Sequence, residues 1–498
     1  MSTIRKQAIA SSILVYIGFF IGAVNMYIYT KNGSFTTAQF GLTRIFFDVA
    51  QNMFAFGSLG VIPILYKFYP YYKDNLPENK IDLLSWALVV ALFGFIIVLI
   101  TGYVLEPLVI RKFSRNSLLF VEYYYWVFPF AFGMLFFSVL ESYAWAIQKT
   151  VWSNFLKETV LRIFTTVLIL LYLFKFINFD LFVKLFSFLY ILIFILLLAY
   201  LWSIEKLHFT FSISKVTQRF KKKMFAMQSL VFGGIGIQAL AQTIDSIFIA
   251  TLKGLDLAGI FTLAQYAANL IQVPMRSIQS ISTGVLSQAW KDKNYKEIDR
   301  IYKRSSINLL LLALFIFGNV WLNAKDVLIV LQIQEDYQAG IFVILVLGLA
   351  RIIDAGTGVN GAIIATSTFW RFDFLSGVVL LSFRIPLTYF LIKTYGIIGA
   401  AYAEVISFTI YNGIRWFFLK KKFNMQPFSL QTLYSIIIAA VIYFIIYFLF
   451  HSLAGWTGIL VRAFSFSIFL IAAIFYWELT PDIMQLYHKY KEKYFKKN

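Results

Sequence analysis

The chain carries a run of about fourteen long apolar segments separated by short polar turns, and this pattern constrains its fold more than any other feature. Sixty per cent of the residues are hydrophobic and only 14% are charged. A soluble domain cannot hide that much apolar surface, whereas a bilayer accepts it, and a helix of about 20 residues satisfies its own backbone hydrogen bonds there. The sequence therefore predicts an all-α polytopic membrane protein with about 14 transmembrane helices.

Each predicted span is long enough to cross a hydrocarbon core of about 30 Å. The spans cover residues 9–29, 45–66, 83–104, 118–140, 155–177, 181–203, 228–250, 259–281, 306–323, 341–366, 374–393, 396–419, 431–451 and 457–477.

Basic residues are distributed unevenly between the two sides of this topology. With the N-terminus placed inside, and residues near a span end counted on the nearer side, 29 of the 44 lysines and arginines fall on the inner side, 11 on the outer side and four deep within spans. The positive-inside rule predicts this bias for an even number of spans with both termini in the cytoplasm. The net charge of +20 thus indicates orientation. We do not expect nucleic-acid binding, because no soluble basic domain carries the charge.

The first twelve spans form two halves of six, separated by a basic segment. A shift of 218 residues places the spans of the first half on those of the second, and Gly41 then coincides with Gly259. Copies of six spans share one orientation, so their pseudo-two-fold axis would run along the membrane normal. We therefore predict two six-helix bundles, 1–203 and 224–422, joined by a basic cytoplasmic linker, 204–223. Two extra helices and a basic tail, 423–498, follow them.

Motifs of pumps and membrane enzymes are missing from the sequence. It has no G-x-x-x-x-G-K-[ST] loop for ATP phosphates, no cysteine, and three histidines, none of which is predicted to lie deep within a span. An embedded metalloenzyme or acyltransferase would need a histidine or a carboxylate cluster in the bilayer. We therefore expect a protein that is not an enzyme and has no cofactor, with a proton or sodium gradient as the driving force for any transport.

Charged side chains inside the spans are functional candidates, because charges at that depth are costly. Three pairs at i,i+3 or i,i+4 spacing can neutralise themselves on one helix face: Arg44 with Asp48, Glu158 with Arg162, and Arg351 with Asp354. Structural ion pairing and ligand contact explain these three pairs equally well.

Four embedded groups have no local partner, namely Arg276, Arg384, Asp245 and Glu404. An unpaired guanidinium facing a wet cavity would attract an anion, and its planar fork suits phosphate. An unpaired carboxylate could bind a proton or a sodium ion. The alternative is that Arg276 pairs with Asp245, and Arg384 with Glu404, across helices.

Several stretches, in this order and spacing, resemble a known family. They are GSLG at 57–60 through YPYY at 69–72, QTIDSIFI at 242–249, GLDLAGIFTLA at 254–264, Pro274, WKDKNYKE at 290–297 and YGIIGAAYA at 395–403. The sequence resembles the polysaccharide transporter family, that is, the Wzx-type O-antigen flippases of the multidrug/oligosaccharidyl-lipid/polysaccharide exporter superfamily.

This resemblance implies a flippase that moves polyprenyl-pyrophosphate-linked oligosaccharide, an O-antigen or exopolysaccharide repeat unit, across the bacterial inner membrane by alternating access. Membrane lipids and polysaccharide assembly machinery would be its partners. It also implies that embedded arginines attract the substrate head group and embedded carboxylates couple the ion: Arg276, Arg384, Arg351 and Arg44 in the first role, and Asp245, Glu404 and Asp354 in the second.

Other functions stay open at the level of sequence. The same superfamily includes lipid II flippases, whose fourteen spans match the count here, and cation-coupled multidrug efflux transporters. A cation exporter would favour an acidic cavity, so the unpaired arginines argue against efflux. A non-transporting scaffold of a polysaccharide assembly complex and an embedded glycosyl or acyl transferase are the alternatives from other classes.

Overall fold

The computed structural model describes residues 3–482 and, within them, the side chains other than those of residues 3–13, 15, 16, 280 and 370. The predicted basic C-terminal tail beyond residue 482 lies outside the described residues. The described chain is 85% helix and contains no β-strand. The prediction of an all-α polytopic membrane protein is confirmed.

Twenty α-helices follow one another along the described chain. In order they are α1 Thr3–Thr30, α2 Thr37–Gly57, α3 Ile62–Asn75, α4 Leu83–Phe113, α5 Leu118–Glu122, α6 Val127–Ala146, α7 Thr150–Asn154, α8 Leu161–Leu173, α9 Phe179–Ser187, α10 Leu189–Ser203, α11 Lys215–Leu252, α12 Leu255–Asn269, α13 Val273–Lys291, α14 Tyr295–Val330, α15 Ile341–Gly356, α16 Asn360–Thr366, α17 Trp370–Tyr395, α18 Ile397–Phe423, α19 Leu430–Phe450 and α20 Gly455–Tyr476. A π-helical turn, Phe155–Val160, precedes α8, and 3₁₀ turns lie at Glu78–Lys80, Tyr124–Trp126, Leu270–Gln272 and Glu335–Gly340.

All fourteen predicted spans fall on these helices. Among the described residues, ten helices are long and apolar enough to cross a membrane, or eleven if the bent pair α2 and α3 forms one span. The other three predicted spans, 9–29, 155–177 and 259–281, lie on shorter or interrupted helical stretches, the first of them on Ile17–Thr30.

Three spans that the sequence predicts as continuous are interrupted at glycine or proline. The second span is the pair α2 and α3, bent by 44°, and Gly60 between them has a φ of 74°. The eighth breaks before α13, whose first turn holds Pro274. The tenth breaks between α15 and α16, where Gly358 has a φ of 63°. Glycine adopts this left-handed backbone without steric cost, and proline is tolerated only where its missing N–H is not needed.

The chain divides into two compact units, Met1–Gly259 (unit 1) and Ile260–Asn498 (unit 2). In unit 1, α2 packs on α4, α6 and α11, and α6 packs on α10. In unit 2, α14 packs on α13, α15, α19 and α20, while α18 packs on both α15 and α17. The predicted linker 204–223 runs directly into α11, because Ser214 Oγ accepts a hydrogen bond from the Thr217 backbone N–H at 3.1 Å and caps that helix.

The two glycines that the repeat register aligns also touch in unit 1. A Cβ on Gly41 would lie 2.0 Å from the carbonyl oxygen of Leu255 and 3.1 Å from the nitrogen of Gly259. The backbones of α2 and α12 therefore meet directly at this point. Only glycine permits such an approach without a shift of one helix.

Candidate functional site

The centre of the candidate site is a buried triad of two arginines and one glutamate in unit 2. Arg351 of α15 places its Nη1 2.5 Å from Glu404 Oε1, and Arg384 of α17 places its Nη2 4.0 Å from Glu404 Oε2. The three side chains are between 2% and 7% exposed. Because α18 packs on both neighbours, it brings the glutamate within reach of both arginines. The triad thus joins two guanidinium groups to one carboxylate.

Arg351 is fixed in place by two further contacts. Its Nε donates to Asn269 Oδ1 at 3.1 Å, and its guanidinium carbon lies 5.3 Å from the centre of the Phe408 ring. A guanidinium held by a carboxylate, an amide and an aromatic face is strongly oriented. Arg351 is therefore a rigid member of the triad.

The predicted pairing of Arg351 with Asp354 is wrong. Arg351 instead binds Glu404, and Asp354 Oδ1 accepts a hydrogen bond from Asn412 Nδ2 at 3.0 Å. Spacing of i,i+3 on α15 allows the local pair, but α18 offers each of the two groups a partner across the helix interface. Asn412 is in turn oriented by Thr357 and Asn360, which donate to its Oδ1 at 3.0 and 2.9 Å.

Arg415 also belongs to the group of polar side chains that join α15, α17 and α18. Its position near the end of the predicted span 396–419 had favoured a place among the cytoplasmic charges. Its Nη2 lies 2.6 Å from Asp373 Oδ1 of α17, its guanidinium stacks 3.9 Å above the Tyr411 ring, and it also bonds the Tyr411 hydroxyl. Glu404, Phe408, Tyr411 and Arg415 recur at spacings of three or four residues. They therefore share one face of α18, and that spacing was the signal that could have identified Arg415.

Arg276 stands apart from the triad. It lies in the first turns of α13 and is exposed. It makes no hydrogen bond or ion pair with any residue that the structure describes. Of the two cross-helix pairs considered as the alternative to ligand contact, that of Arg384 with Glu404 is confirmed.

Unit 1 holds the remaining two candidates, Arg44 and Asp245. Arg44 Nε lies 3.0 Å from Asp48 Oδ2 within α2, which confirms the predicted local pair. The pair predicted between Glu158 and Arg162 is confirmed as well, at 2.9 Å. Asp245 of α11 is buried.

Polar side chains join α2 to α11 close to Asp48. Asn52 Nδ2 donates to Thr243 Oγ1 at 2.7 Å, and Gln51 Nε2 donates to Gln242 Oε1 at 3.0 Å. Arg44 and Asp245 therefore lie on the two helices that form this polar seam in unit 1.

Metal binding by a conventional ligand cluster finds no support in the described part of the chain. Across residues 3–482, no group of three or more histidine, aspartate or glutamate side chains is arranged to hold a metal ion. The carboxylates expected to couple an ion lie in both units: Glu404 is buried and Asp354 half-buried in unit 2, and Asp245 is buried in unit 1.

Solved structures show which proteins share this architecture. A structure of the lipid II flippase MurJ in an inward closed conformation matches with a TM-score of 0.72 at 17% identity, over 95% of this chain and 99% of that chain. An inward-facing multidrug resistance MATE family transporter of the MOP superfamily matches with a TM-score of 0.65 at 13% identity, over 83% and 98%. This chain has the fold of these transporters.

A third solved structure with a similar fold is described as having a different function. It is a MOP superfamily transporter from Pyrococcus furiosus, described as having a binding pocket of reverse polarity that suggests a different function. Its TM-score is 0.54 at 14% identity, over 84% of this chain and 96% of that chain. No protein-family model and no curated protein sequence matches the chain.

Proposed function

We propose that this protein is a flippase that carries a polyprenyl-pyrophosphate-linked oligosaccharide, such as an O-antigen or exopolysaccharide repeat unit, across the bacterial inner membrane. The sugar and pyrophosphate would cross through a polar passage while the polyprenyl tail stays in lipid. Only the head needs shielding, because each unsatisfied polar group in hydrocarbon costs several kcal/mol. The two predicted lobes would alternate in opening to either side. The protein itself would perform no chemistry and hold no cofactor.

The observation that carries this proposal is the buried triad of Arg351, Arg384 and Glu404. Its charges lie where solvent screens them little, so a guanidinium that exchanges its carboxylate partner there would attract an anionic group strongly. Arg351 makes the short contact to the glutamate, and Arg384 the long one. Arg384 is therefore the arginine better placed to exchange Glu404 for a phosphate group of the substrate.

Arg276 would make the first contact with the substrate. It is exposed and makes no ion pair with the described residues, so its guanidinium is available to an incoming pyrophosphate. A planar guanidinium binds phosphate oxygens with two parallel hydrogen bonds. We propose that Arg276 captures the head group and that Arg384 receives it.

The similarity of the fold to solved transporter structures supports a transport function and is consistent with a lipid-linked substrate. The MurJ structure, described as a lipid II flippase, aligns over 95% of this chain. The MATE match favours the second candidate, cation-coupled multidrug efflux. Pocket charge is the property that would separate these functions, and the two buried arginines of the triad together with the exposed Arg276 are the reason to prefer an anionic head group. A lipid II-type substrate carries the same pyrophosphate and is the nearest alternative.

Ion coupling would use the buried carboxylates. Asp245, Glu404 and Asp354 are the candidates for binding a proton or a sodium ion, and Glu404 is the one in contact with both arginines. If the substrate phosphate replaced Glu404 at Arg384, Glu404 Oε2 would lose its cationic partner while Oε1 stayed paired with Arg351, and Oε2 could then bind a cation. Substrate and ion binding would then be coupled through one side chain.

A transport assay tests the proposal. The purified full chain is placed in vesicles that carry a fluorescent polyprenyl-pyrophosphate oligosaccharide, and a membrane-impermeant quencher reports how fast it leaves the outer leaflet. We expect Arg276→Gln and Arg384→Gln each to slow transport at least tenfold, since a charged hydrogen bond to phosphate contributes about 1.5–3 kcal/mol.

Arg115→Gln is the matched control, because Arg115 is also exposed but lies outside the candidate site. Arg276→Gln removes no contact within the described structure, so slower transport by that variant would reflect the substrate and not misfolding. Normal transport by both variants would overturn the head-group assignment. Uptake of cationic dyes without movement of the lipid-linked sugar would instead establish efflux.

A further inference from the structure

An open groove of about 790 Å³ runs along α18 in unit 2, separate from the buried triad. We name it the α17–α18 groove. Its wall on α18 includes Ile410, Gly413, Phe417 and Lys421, which recur at helical spacing and form one stripe, and Phe372 of α17 closes one side. Its volume falls within the range of about 300–1,000 Å³ that is typical of small-molecule sites.

The groove is apolar along most of its length and cationic at one end. Ile410 and Phe417 are 41% and 58% exposed, and the exposed Lys421 and Lys422 follow at the end of the helix. The two ammonium groups lie near aromatic rings, at 5.9 Å from Phe417 and 5.1 Å from another phenylalanine. Neither lysine has a carboxylate partner among the described residues. The surface therefore complements an amphiphile with an apolar chain and an anionic head.

Gly413 is what makes the stripe concave. A Cβ at this position would meet no atom within 4 Å. The residues around it are large, so a missing side chain leaves a gap in the wall of α18. The stacked rings of Phe372 and Phe418, with centroids 4.0 Å apart, form a firm floor beside the gap.

The length of the groove indicates which amphiphile fits. From Ile410 to Lys422 the helix advances about 18 Å at 1.5 Å per residue. One leaflet contributes about 15 Å to the hydrocarbon core. An acyl chain of an ordinary membrane lipid has this reach, whereas a polyprenyl tail is much longer. The positive-inside prediction places the lysine end at the cytoplasmic leaflet, where anionic lipids attract basic residues.

We propose that the α17–α18 groove binds an anionic phospholipid of the membrane, with an acyl chain along the stripe and the phosphate held by Lys421 and Lys422. This inference does not depend on the substrate proposed above. A bound lipid would cover one side of α18, the helix that also carries Glu404 and Arg415. Lipid composition would therefore act on a helix that bears part of the candidate site.

Lipid titration of the intact protein tests the proposal. The detergent-purified full chain is titrated with phosphatidylglycerol and, separately, with phosphatidylcholine, and bound lipid is counted by mass spectrometry of the intact complex. We expect Lys421→Gln with Lys422→Gln to weaken phosphatidylglycerol binding about thirtyfold, since each lysine near an anionic group contributes about fivefold. Phosphatidylcholine binding should not change. The control is Lys221→Gln with Lys222→Gln, an exposed lysine pair on α11.

Filling the groove tests the apolar part separately. Gly413→Leu should displace the acyl chain and lower phosphatidylglycerol binding at least tenfold. The matched control is Gly377→Leu on α17, where an added Cβ also meets open space outside the groove. Both changes replace glycine by a better helix former, so neither should prevent folding.

Four results would overturn the proposal. The first is unchanged phosphatidylglycerol affinity in the double lysine variant, and the second is an equal loss in Gly413→Leu and Gly377→Leu. The third is displacement of the lipid by inorganic phosphate at a similar concentration, which would mean that the head group alone binds. The fourth is tighter binding of a polyprenyl phosphate than of phosphatidylglycerol, which would assign the groove to a transport substrate.

Discussion

Unit 1 and unit 2 differ in how charged side chains join their helices. Both units let backbones touch at glycine: a Cβ on Gly41 would lie 2.0 Å from Leu255 O in unit 1, and one on Gly399 would lie 2.0 Å from Leu391 O in unit 2. In unit 2, buried side chains of opposite charge join the helices, as Arg351 and Glu404 do across α15 and α18. Backbone contact fixes two helices at one distance. An ion pair between helices can break and form again with other partners.

The two units also differ in whether their embedded ion pairs form within one helix or between helices. Unit 1 pairs most of its embedded charges within one helix turn, as Arg44 does with Asp48 and Arg162 with Glu158. Lys157 with Glu141 is an exception that joins two segments. A pair within one turn neutralises itself whatever the neighbouring helices do. The pairs between helices in unit 2 are sensitive to helix movement, as the proposed transport cycle requires.

Glu404→Gln should have the largest effect on stability. The change leaves two buried guanidinium groups without their carboxylate, and breaking a buried ion pair costs about 3–5 kcal/mol. We expect the free energy of unfolding, measured by denaturant titration in micelles, to fall by about that amount.

Arg384→Met provides the internal comparison, because it leaves Arg351 and Glu404 as a balanced pair. Its cost should be clearly smaller than that of Glu404→Gln. If the two variants were equally unstable, Glu404 would not be the group on which both arginines depend, and the contrast between the units would weaken.

Arg462→Met should have the next largest effect, because Arg462 connects three segments of unit 2. Its guanidinium donates to Asn323 Oδ1 at 3.1 Å and to the Leu453 carbonyl at 2.8 Å, and it also pairs with Asp326. Loss of these charged hydrogen bonds should lower the free energy of unfolding by about 2–3 kcal/mol. Proteolysis between α18 and α19 should become faster. Unchanged proteolysis would mean that apolar packing alone holds the last two helices.

Gly41→Ala tests the backbone contact in unit 1. The added methyl group would overlap the Leu255 carbonyl, so α2 and α12 must separate, at a cost of about 1–3 kcal/mol. Gly234→Ala in α11 is the control, since a Cβ there meets nothing within 4 Å and should stabilise the helix slightly. Equal stability of the two variants would show that the close approach is not needed.

The sequence predicted the helices well but their interruptions poorly. All fourteen spans fall on helix, because apolar length in a bilayer leaves few other structures. The break at Gly60 was missed, and the glycines around Gly358 fitted either a hinge or close helix packing, since glycine in an apolar run also occurs at simple packing contacts. Gly41 and Gly259 were noticed only as aligned repeat positions. Their contact depends on which helices become neighbours.

Charge pairing shows the same limit within the candidate site. Pairs on one helix follow from spacing alone, and Arg44 with Asp48 was predicted correctly. Spacing also favoured Arg351 with Asp354, but α18 supplied Glu404 and Asn412 as better-placed partners. Which partner a charged side chain takes on another helix depends on how the helices pack. The sequence of a single segment does not reveal that packing.

Glu158→Gln should have the smallest effect, and it is the same chemical change as Glu404→Gln. Arg162 and Glu158 are 32% and 28% exposed, far more than the members of the buried triad, so the loss of one leaves the other less enclosed. Ion pairs of this kind contribute about 0.2–1 kcal/mol. We expect the free energy of unfolding to fall by less than about 1 kcal/mol, and raising the salt concentration should reduce the difference further. A loss as large as that of Glu404→Gln would show that pairing within one turn and pairing between helices are energetically alike, and the proposed distinction between the two units would fail.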